Sequence, residues 1–169
     1  VEPFYPQPPM GRHAGIHRNL DPLYDFPDKR LVKNLVRDLP LRTSALRTLG
    51  AFGNVFAIES FMDELAEAGG LDPLEFRLRN LDDDRAKAVL TAMSEKLNAV
   101  PLPEGRGRGI GFGQYKNEKT YAAVGVELSV NDAAEVQLHR TVIAADAGQV
   151  VDPDGLAAQM EGGFLQAAS

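Results

Sequence analysis

The chain has 169 residues, 44% of them hydrophobic and 25% charged, with a formal net charge of -6, which is the composition of a folded domain rather than a disordered segment. The mild acidity argues against a dedicated nucleic-acid surface, and no apolar run approaches the roughly 20 residues of a membrane helix. Cysteine is absent, which excludes disulfides, thiolate metal ligands and iron–sulfur clusters held by this segment.

The opening VEPFYPQPPMGRHAG lacks the basic and then apolar pattern of a signal peptide, and the compartment is left open. With no initiator Met and a helical pattern still running at LQAAS, the chain reads as a piece of a larger polypeptide. Residues 1–29 hold six of the eleven prolines and should run as extended segments and turns, because proline fixes φ and removes a donor. His13 and His17 have the spacing at which two imidazoles share a helix face. Gly11 and Gly15 argue against a helix there, and ordinary surface histidines are the preferred reading. Lys29 to Asp38 alternates well enough to suggest a strand. Arg42 and Arg47 bracket the approach to a Gly-rich turn, where a guanidinium can bind an anion or pair with nearby carboxylates.

Arg47 to Asn80 carries the clearest punctuation. A small-residue loop, Leu49-Gly50-Ala51-Phe52-Gly53, precedes Asn54, which is placed to cap a helix from Val55 to Ala68. Val55, Ile58, Met62 and Leu65 recur at helical spacing and Phe61 widens the stripe. Glu59 and Asp63 share a face at i,i+4, a spacing open to an acid/base pair, but a solvated acidic face is the preferred reading. Gly69-Gly70 stops the helix, and Asp72-Pro73 starts a second one that ends near Asn80. Leu74, Leu78 and Leu81 form its apolar face, and Arg77 and Arg79 suit its C-terminal dipole. Asp82-Asp83-Asp84 opens a third helix to about Asn98, with Ala88, Val89, Ala92, Met93 and Leu97 inward. The aspartate run lacks the alternating ligands, central Gly and final Glu of a calcium loop.

After VPLPEGRGRG the period changes from helix to strand. Residues 109–116, 120–130 and 135–146 predict a meander, with Asn131-Asp132 at its second turn. The glycines at 105, 107, 109, 111 and 113 fit neither the P-loop nor the dinucleotide fingerprint. Alternating glycines in a strand more often admit close packing by a backbone or a large ligand, with a nucleotide-binding reading kept beside that. Asp152-Pro153-Asp154 starts a last helix holding Gln159, whose amide offers both donors and an acceptor. The fold class that follows is α+β: a helical segment at about 54–98, an antiparallel meander at about 109–146 and a final helix at about 154–167.

Two blocks, FAIESFMDELAEAGGLDPLEFRLRNL (56–81) and VIAADAGQVVDPDGLAAQMEGGFLQAAS (142–169), resemble the large subunits of molybdenum hydroxylases. The first is similar to the helix that follows their cofactor-contacting loop, and the second to their Asp-x-Gly, Asn-Pro-Asp and Gln-x-Glu-Gly-Gly segment. Between them, RGRGIGFGQYK falls in the same order. The resemblance runs over about 12–169 and is nearest to the molybdopterin-binding subunits of the isoquinoline 1-oxidoreductase or nicotinate dehydrogenase kind.

This resemblance implies one partial molybdopterin-binding domain over 1–169, with an arm and loop at 1–53, helices at 54–98, and a meander plus helix at 105–169. It further implies a parent oxidoreductase that hydroxylates aldehydes or N-heterocycles with oxygen derived from water. Its cofactor would be a molybdopterin, in a dinucleotide form with molybdenum, bound by the parent and not tightly by this fragment alone. The implied partners are the remainder of the large subunit and a 2Fe-2S subunit. Where the family reads Ala-Phe-Arg-Gly-Phe-Gly, this chain reads Thr48-Leu49-Gly50-Ala51-Phe52-Gly53. Phe52 matches the aromatic that borders the substrate channel, and Gly50 replaces the arginine. The amides of Gly50 and Ala51 would face the cofactor, and Gln159 matches a glutamine near the pterin. Asp152 and Ala167 stand where the family has Asn and Gly. No catalytic residue and no metal ligand is assigned in this chain: the catalytic glutamate is expected beyond Ser169, and Glu161 does not take its place. The alternative is a non-catalytic, partner-binding module that keeps the scaffold. As a fragment, the chain would expose apolar surface that the parent covers, which would favour self-association.

Overall fold

The computed structural model describes residues 15–34, 36, 40 and 47–169. Among the described residues, four α-helices and three strands run in the order α1 (Ala51–Ala68), α2 (Pro73–Arg79), α3 (Asp84–Asn98), β1 (Gly107–Gln114), β2 (Tyr121–Val130), β3 (Val136–Asp146) and α4 (Pro153–Ala168). The strands form one antiparallel sheet in the order β1-β2-β3, so the architecture is α+β. His13 and Arg42 lie outside the described residues, as does part of the segment read as a strand from Lys29 to Asp38. The described part of that segment carries no strand.

Local signals account for most element ends. Asp72 and Asp83 cap α2 and α3, each accepting two backbone N–H bonds through its side chain, which satisfies donors that a helix start leaves orphaned. Gly70 adopts φ +65° just past α1, the left-handed stop that glycine reaches without steric cost. Asp152 caps α4 by accepting from the N–H of Gly155. Asn131 shapes the β2–β3 turn, its Oδ1 accepting from Ala133 N and Glu135 N at 3.0 and 2.9 Å.

The start of α1 differs from the sequence expectation. Asn54 is not the cap; Gly50 is, and the helix begins earlier, at Ala51. The Asn54 amide instead donates to the carbonyls of Ile16 and Arg18 at 2.9 and 2.8 Å, a tertiary use that sequence spacing does not reveal. Phe52 and Gly53 therefore belong to the first helical turn rather than to a loop.

The core lies between α1, α2, α3 and one face of the sheet. It joins Tyr24, Met62, Leu81, Ala86, Val89, Leu90, Met93, Leu97, Phe112, Tyr121 and Ala123. On α3 the inward residues are Ala86, Val89, Leu90, Met93 and Leu97, while Ala88 and Ala92 are exposed. Val89, Leu90, Met93 and Leu97 supply most of the buried face, each contributing about 1.5–3 kcal/mol on burial. Phe61, expected to widen the α1 stripe, is 56% exposed. Gly125 on β2 makes the close approach of α3 possible, because a Cβ there would stand 2.5 Å from Met93 Sδ.

Side chains tie both ends of α3 to the sheet. At its start, Arg85 bonds Asp146 through two nitrogens at 2.8 and 2.7 Å, and the Tyr121 hydroxyl donates to Asp83 at 2.6 Å. At its end, Arg140 donates to the carbonyls of Lys96 and Leu97 at 2.7 and 2.9 Å, pairing acceptors that a helix C-terminus otherwise leaves open.

Candidate functional site

The antiparallel register puts Gly107, Gly109, Gly111 and Gly113 on one face of β1, beside Leu128, Val126, Val124 and Ala122 of β2. This is the face turned away from α3. A Cβ at Gly107 or Gly111 would meet nothing within 4 Å, and at Gly109 or Gly113 only ordinary contacts with Val126 and Val55. The glycine stripe thus floors an open cleft of about 620 Å³, walled by Phe52, Val55 and Phe56 of α1 and by Tyr115. An adjoining cleft of about 800 Å³ runs between the same strands and α4, against Gln159, Met160 and Phe164.

Residues 47–50 form the turn leading into α1. Thr48 and Leu49 have φ of +74° and +55°, a left-handed pair that costs on the order of 1–3 kcal/mol per residue outside glycine and that persists only where neighbours over-determine it. The neighbours are Gly15 and Ile16. A Cβ on Gly15 would lie 2.7 Å from Leu49 Cδ1, and one on Gly50 would lie 2.5 Å from the Ile16 carbonyl oxygen. Position 50 therefore has no room for a side chain while the Gly15–Asn19 turn is in place, a steric reason for glycine where the resembled family has arginine.

Among the sequence-selected residues, Ala51 and Phe52 line the first cleft, and Gln159 the second. Gly50 lines neither. The amide of Gly50 donates to the Gly15 carbonyl at 3.3 Å and that of Ala51 to the Thr48 carbonyl at 3.1 Å. The end of α1 that faces outward has no capping side chain and no acidic residue in its first turn, so the next amides, of Phe52 and Gly53, carry its positive dipole end. Arg47 reaches across to the side-chain oxygen of Gln166, linking this turn to α4.

Sequence reasoning missed the charged centre beneath the cleft. Glu59 is buried, not solvated. Its carboxylate accepts from the Tyr24 hydroxyl at 2.7 Å, Arg77 Nε at 3.0 Å and the Phe112 amide at 2.8 Å. Arg77, expected near the C-terminal end of α2 where a cation suits the dipole, is fully buried and also bonds Asp63 at 2.7 Å. Burial pushes the Glu59 carboxyl above its usual range, against the opposing pull of Arg77, Tyr24 and the Phe112 amide. Burial, with Glu59 adjacent, likewise raises the Tyr24 hydroxyl. For Arg77, burial works against the charge, but Glu59 and Asp63 outweigh it and hold the guanidinium charged. Because both Glu59 oxygens are engaged, this carboxylate acts as a fastener between α1, α2 and β1. The signal for it is Arg77 on the same side of α2 as the Leu74–Leu78 face, a position that sequence alone explains equally well by dipole complementarity. Among the described residues no group of three or more His, Cys, Asp or Glu is placed to hold a metal ion.

Two consecutive family models, both described as a molybdopterin cofactor-binding domain, match residues 5–81 and 86–169. They meet between α2 and α3, yet both halves contribute to the one core. The chain is 35% identical to a nicotinate dehydrogenase subunit of Pseudomonas putida, over 100% of its own length and 15% of that relative. It is 30% identical to the beta subunit of the isoquinoline 1-oxidoreductase of Brevundimonas diminuta, over 86% of the chain and 19% of the relative. With the xanthine dehydrogenase molybdenum-binding subunit of Escherichia coli O157:H7 it shares 39% identity over 43% of the chain and 9% of the relative. The chain thus spans less than a fifth of each of these relatives, and it belongs to the molybdopterin cofactor-binding domain family.

Proposed function

We propose that this chain forms one wall of the hydroxylation site of a larger subunit that oxidises aldehydes or electron-poor N-heterocycles with water-derived oxygen. The observation that carries the reading is the match, along the whole chain, to the nicotinate dehydrogenase subunit of Pseudomonas putida. The geometry is compatible with it. A strained turn delivers an uncapped helix start, free of acidic side chains, to the rim of an apolar cleft, and such a helix end suits an electron-rich or anionic group.

The residues present fit a molybdopterin group in a limited way. The Phe52 and Gly53 amides offer donors beside Gly50 and Ala51, and the exposed Gln159 amide can bond a polar ring edge. When bound, the cofactor supplies the oxygen-transfer and redox chemistry. The chain's own contribution is placement: Phe52, 65% exposed at the cleft, stacks on a flat substrate, and the glycine floor lets that substrate lie close to the sheet. The cofactor is taken to be a dinucleotide form, the redox partner a 2Fe-2S subunit, and the fragment inactive without the remainder of the large subunit.

The test is Phe52→Ala in the intact, cofactor-loaded subunit. KM for an aromatic heterocycle should rise roughly tenfold, equivalent to about 1.4 kcal/mol of lost ring contact, with the unfolding midpoint nearly unchanged. Unaltered kinetics across several aromatic substrates would reduce Phe52 to a packing residue. Elemental analysis of pure, active subunit showing no molybdenum would end the reading altogether.

A further inference from the structure

Six non-glycine residues among those described have positive φ: Asn19, Thr48, Leu49, Lys116, Asn117 and Ala134. Two adjacent pairs, Thr48-Leu49 and Lys116-Asn117, lie close in sequence to two of the aromatics that wall the cleft, Phe52 and Tyr115. Both pairs are held by one short turn, Gly15 to Asn19, which itself carries a fifth member of the set. The five belong to one constellation; Ala134 sits apart in the β2–β3 turn.

The grip on each side is specific. Towards Phe52, Gly15 and Ile16 close over Leu49 and Gly50, and both protons of the Asn54 amide go to the Ile16 and Arg18 carbonyls. Towards Tyr115, the buried Asn19 amide donates to the Gln114 carbonyl at 2.7 Å and to Asn117 Oδ1 at 2.8 Å, while its oxygen accepts from Lys116 N at 3.0 Å. Asn117 in turn donates to the Asp21 carbonyl at 2.8 Å. Asn19 and Asn54 thus use all of their amide protons to fix the two sides of one opening to a common turn.

We propose that the Gly15–Asn19 turn is a positioning bracket that sets the spacing between the Phe52 and Tyr115 walls, and so the thickness and width of the ring the cleft accepts. Asn19 and Asn54 are its positioning residues, and Tyr115 is a specificity-determining residue. The inference rests on the reading that this cleft holds the substrate.

The experiment uses the intact, cofactor-loaded subunit and a one-ring and a two-ring N-heterocycle. Asn54→Ala removes one clamp at a half-buried position, and Asn19→Ala removes the other at a buried one. Each should raise KM for the better substrate roughly tenfold, as expected for losing the two hydrogen bonds of Asn54 or the three of Asn19 that fix geometry, with kcat changed much less. The preference between the two substrates should also shift. In a Phe52→Ala background the Asn54→Ala effect on KM should largely vanish, because the two act through one contact. Should Asn19→Ala fail to fold, Asn54→Ala alone carries the test. A lower unfolding midpoint with unchanged KM and unchanged preference would overturn the bracket, as would effects that add fully to those of Phe52→Ala. If Phe52→Ala and Tyr115→Ala themselves leave KM unaltered, the cleft is not the substrate site and both readings fall.

Discussion

Glu59 joins three stretches far apart in sequence through two oxygens, and its neighbour Arg77 has no exposed surface. Replacing Glu59 by Gln keeps the shape but turns an –NH2 group toward donors and leaves the guanidinium with the partly exposed Asp63 as its ionic partner. Breaking a buried pair from one side costs about 3–5 kcal/mol, so the urea midpoint of Glu59→Gln should fall steeply, whereas Glu64→Gln on the exposed side of α1 should leave it nearly unchanged. Asp146 shows the opposite pH behaviour to Glu59. The Arg85 guanidinium and then the Gly148 amide hold its carboxyl down at about 2, from an ordinary 3.8. The folded state thus binds this proton less readily than the unfolded one. Its stabilisation is present above pH 3.8 and lost as pH falls through about 2. Asp146→Asn should flatten the stability profile across that window, as followed by unfolding at a series of acid pH values. Of these residues, the spacing of Glu59 and Asp63 was visible in the sequence, but the burial of Glu59 was not: i,i+4 spacing places two carboxylates on one face and does not say what covers it. Asn54 misled in the same way, because a good capping residue one turn inside a helix reads as the cap until its tertiary acceptors are known.

At the scale of elements, the caps at Asp72 and Asp83, the Gly70 stop and the strand period of 120–130 were legible because each is a local event. The start of α1 and the inward face of α3 were not, since both depend on what packs against them. The glycines separate these two kinds of information. On β2, Gly125 sits under Met93 and Leu97, where a Cβ would approach within 2.5 and 2.8 Å. Gly125→Ala should therefore lose about 1–3 kcal/mol to overpacking. On β1, Gly111 meets nothing within 4 Å and has no positive φ, so Gly111→Ala should be neutral or gain up to about 0.5 kcal/mol through the unfolded chain's reduced freedom. Paired urea titrations of the two variants measure the contrast. As sequence, the two glycines are alike, and only the register shows that they lie on opposite faces.

For the molecule as a whole, the order of helices, meander and final helix could be read from periodicity, and the family from two blocks of residues. The cleft could not, because its walls come from α1, β1, β2, the Tyr115 turn and α4, and its bracket from a turn far upstream of Asn54 in the chain. The same tertiary contacts give the sheet a direction. Along the outer edge of β1, the Glu59 carboxylate takes the Phe112 amide and the Asn19 amide takes the Gln114 carbonyl. Two side chains thus stand where a neighbouring strand would otherwise bond. Among the described residues no strand lies beyond β3, and Val136 and Leu138 at its start are exposed. Deuterium exchange should find the Phe112 amide slow and the outward amides of β3 fast; equal rates would show that side chains do not seal the β1 edge. With side chains bonded at two points of the β1 edge and exposed residues at the start of β3, a strand added to the sheet is expected to join beside β3 rather than beside β1.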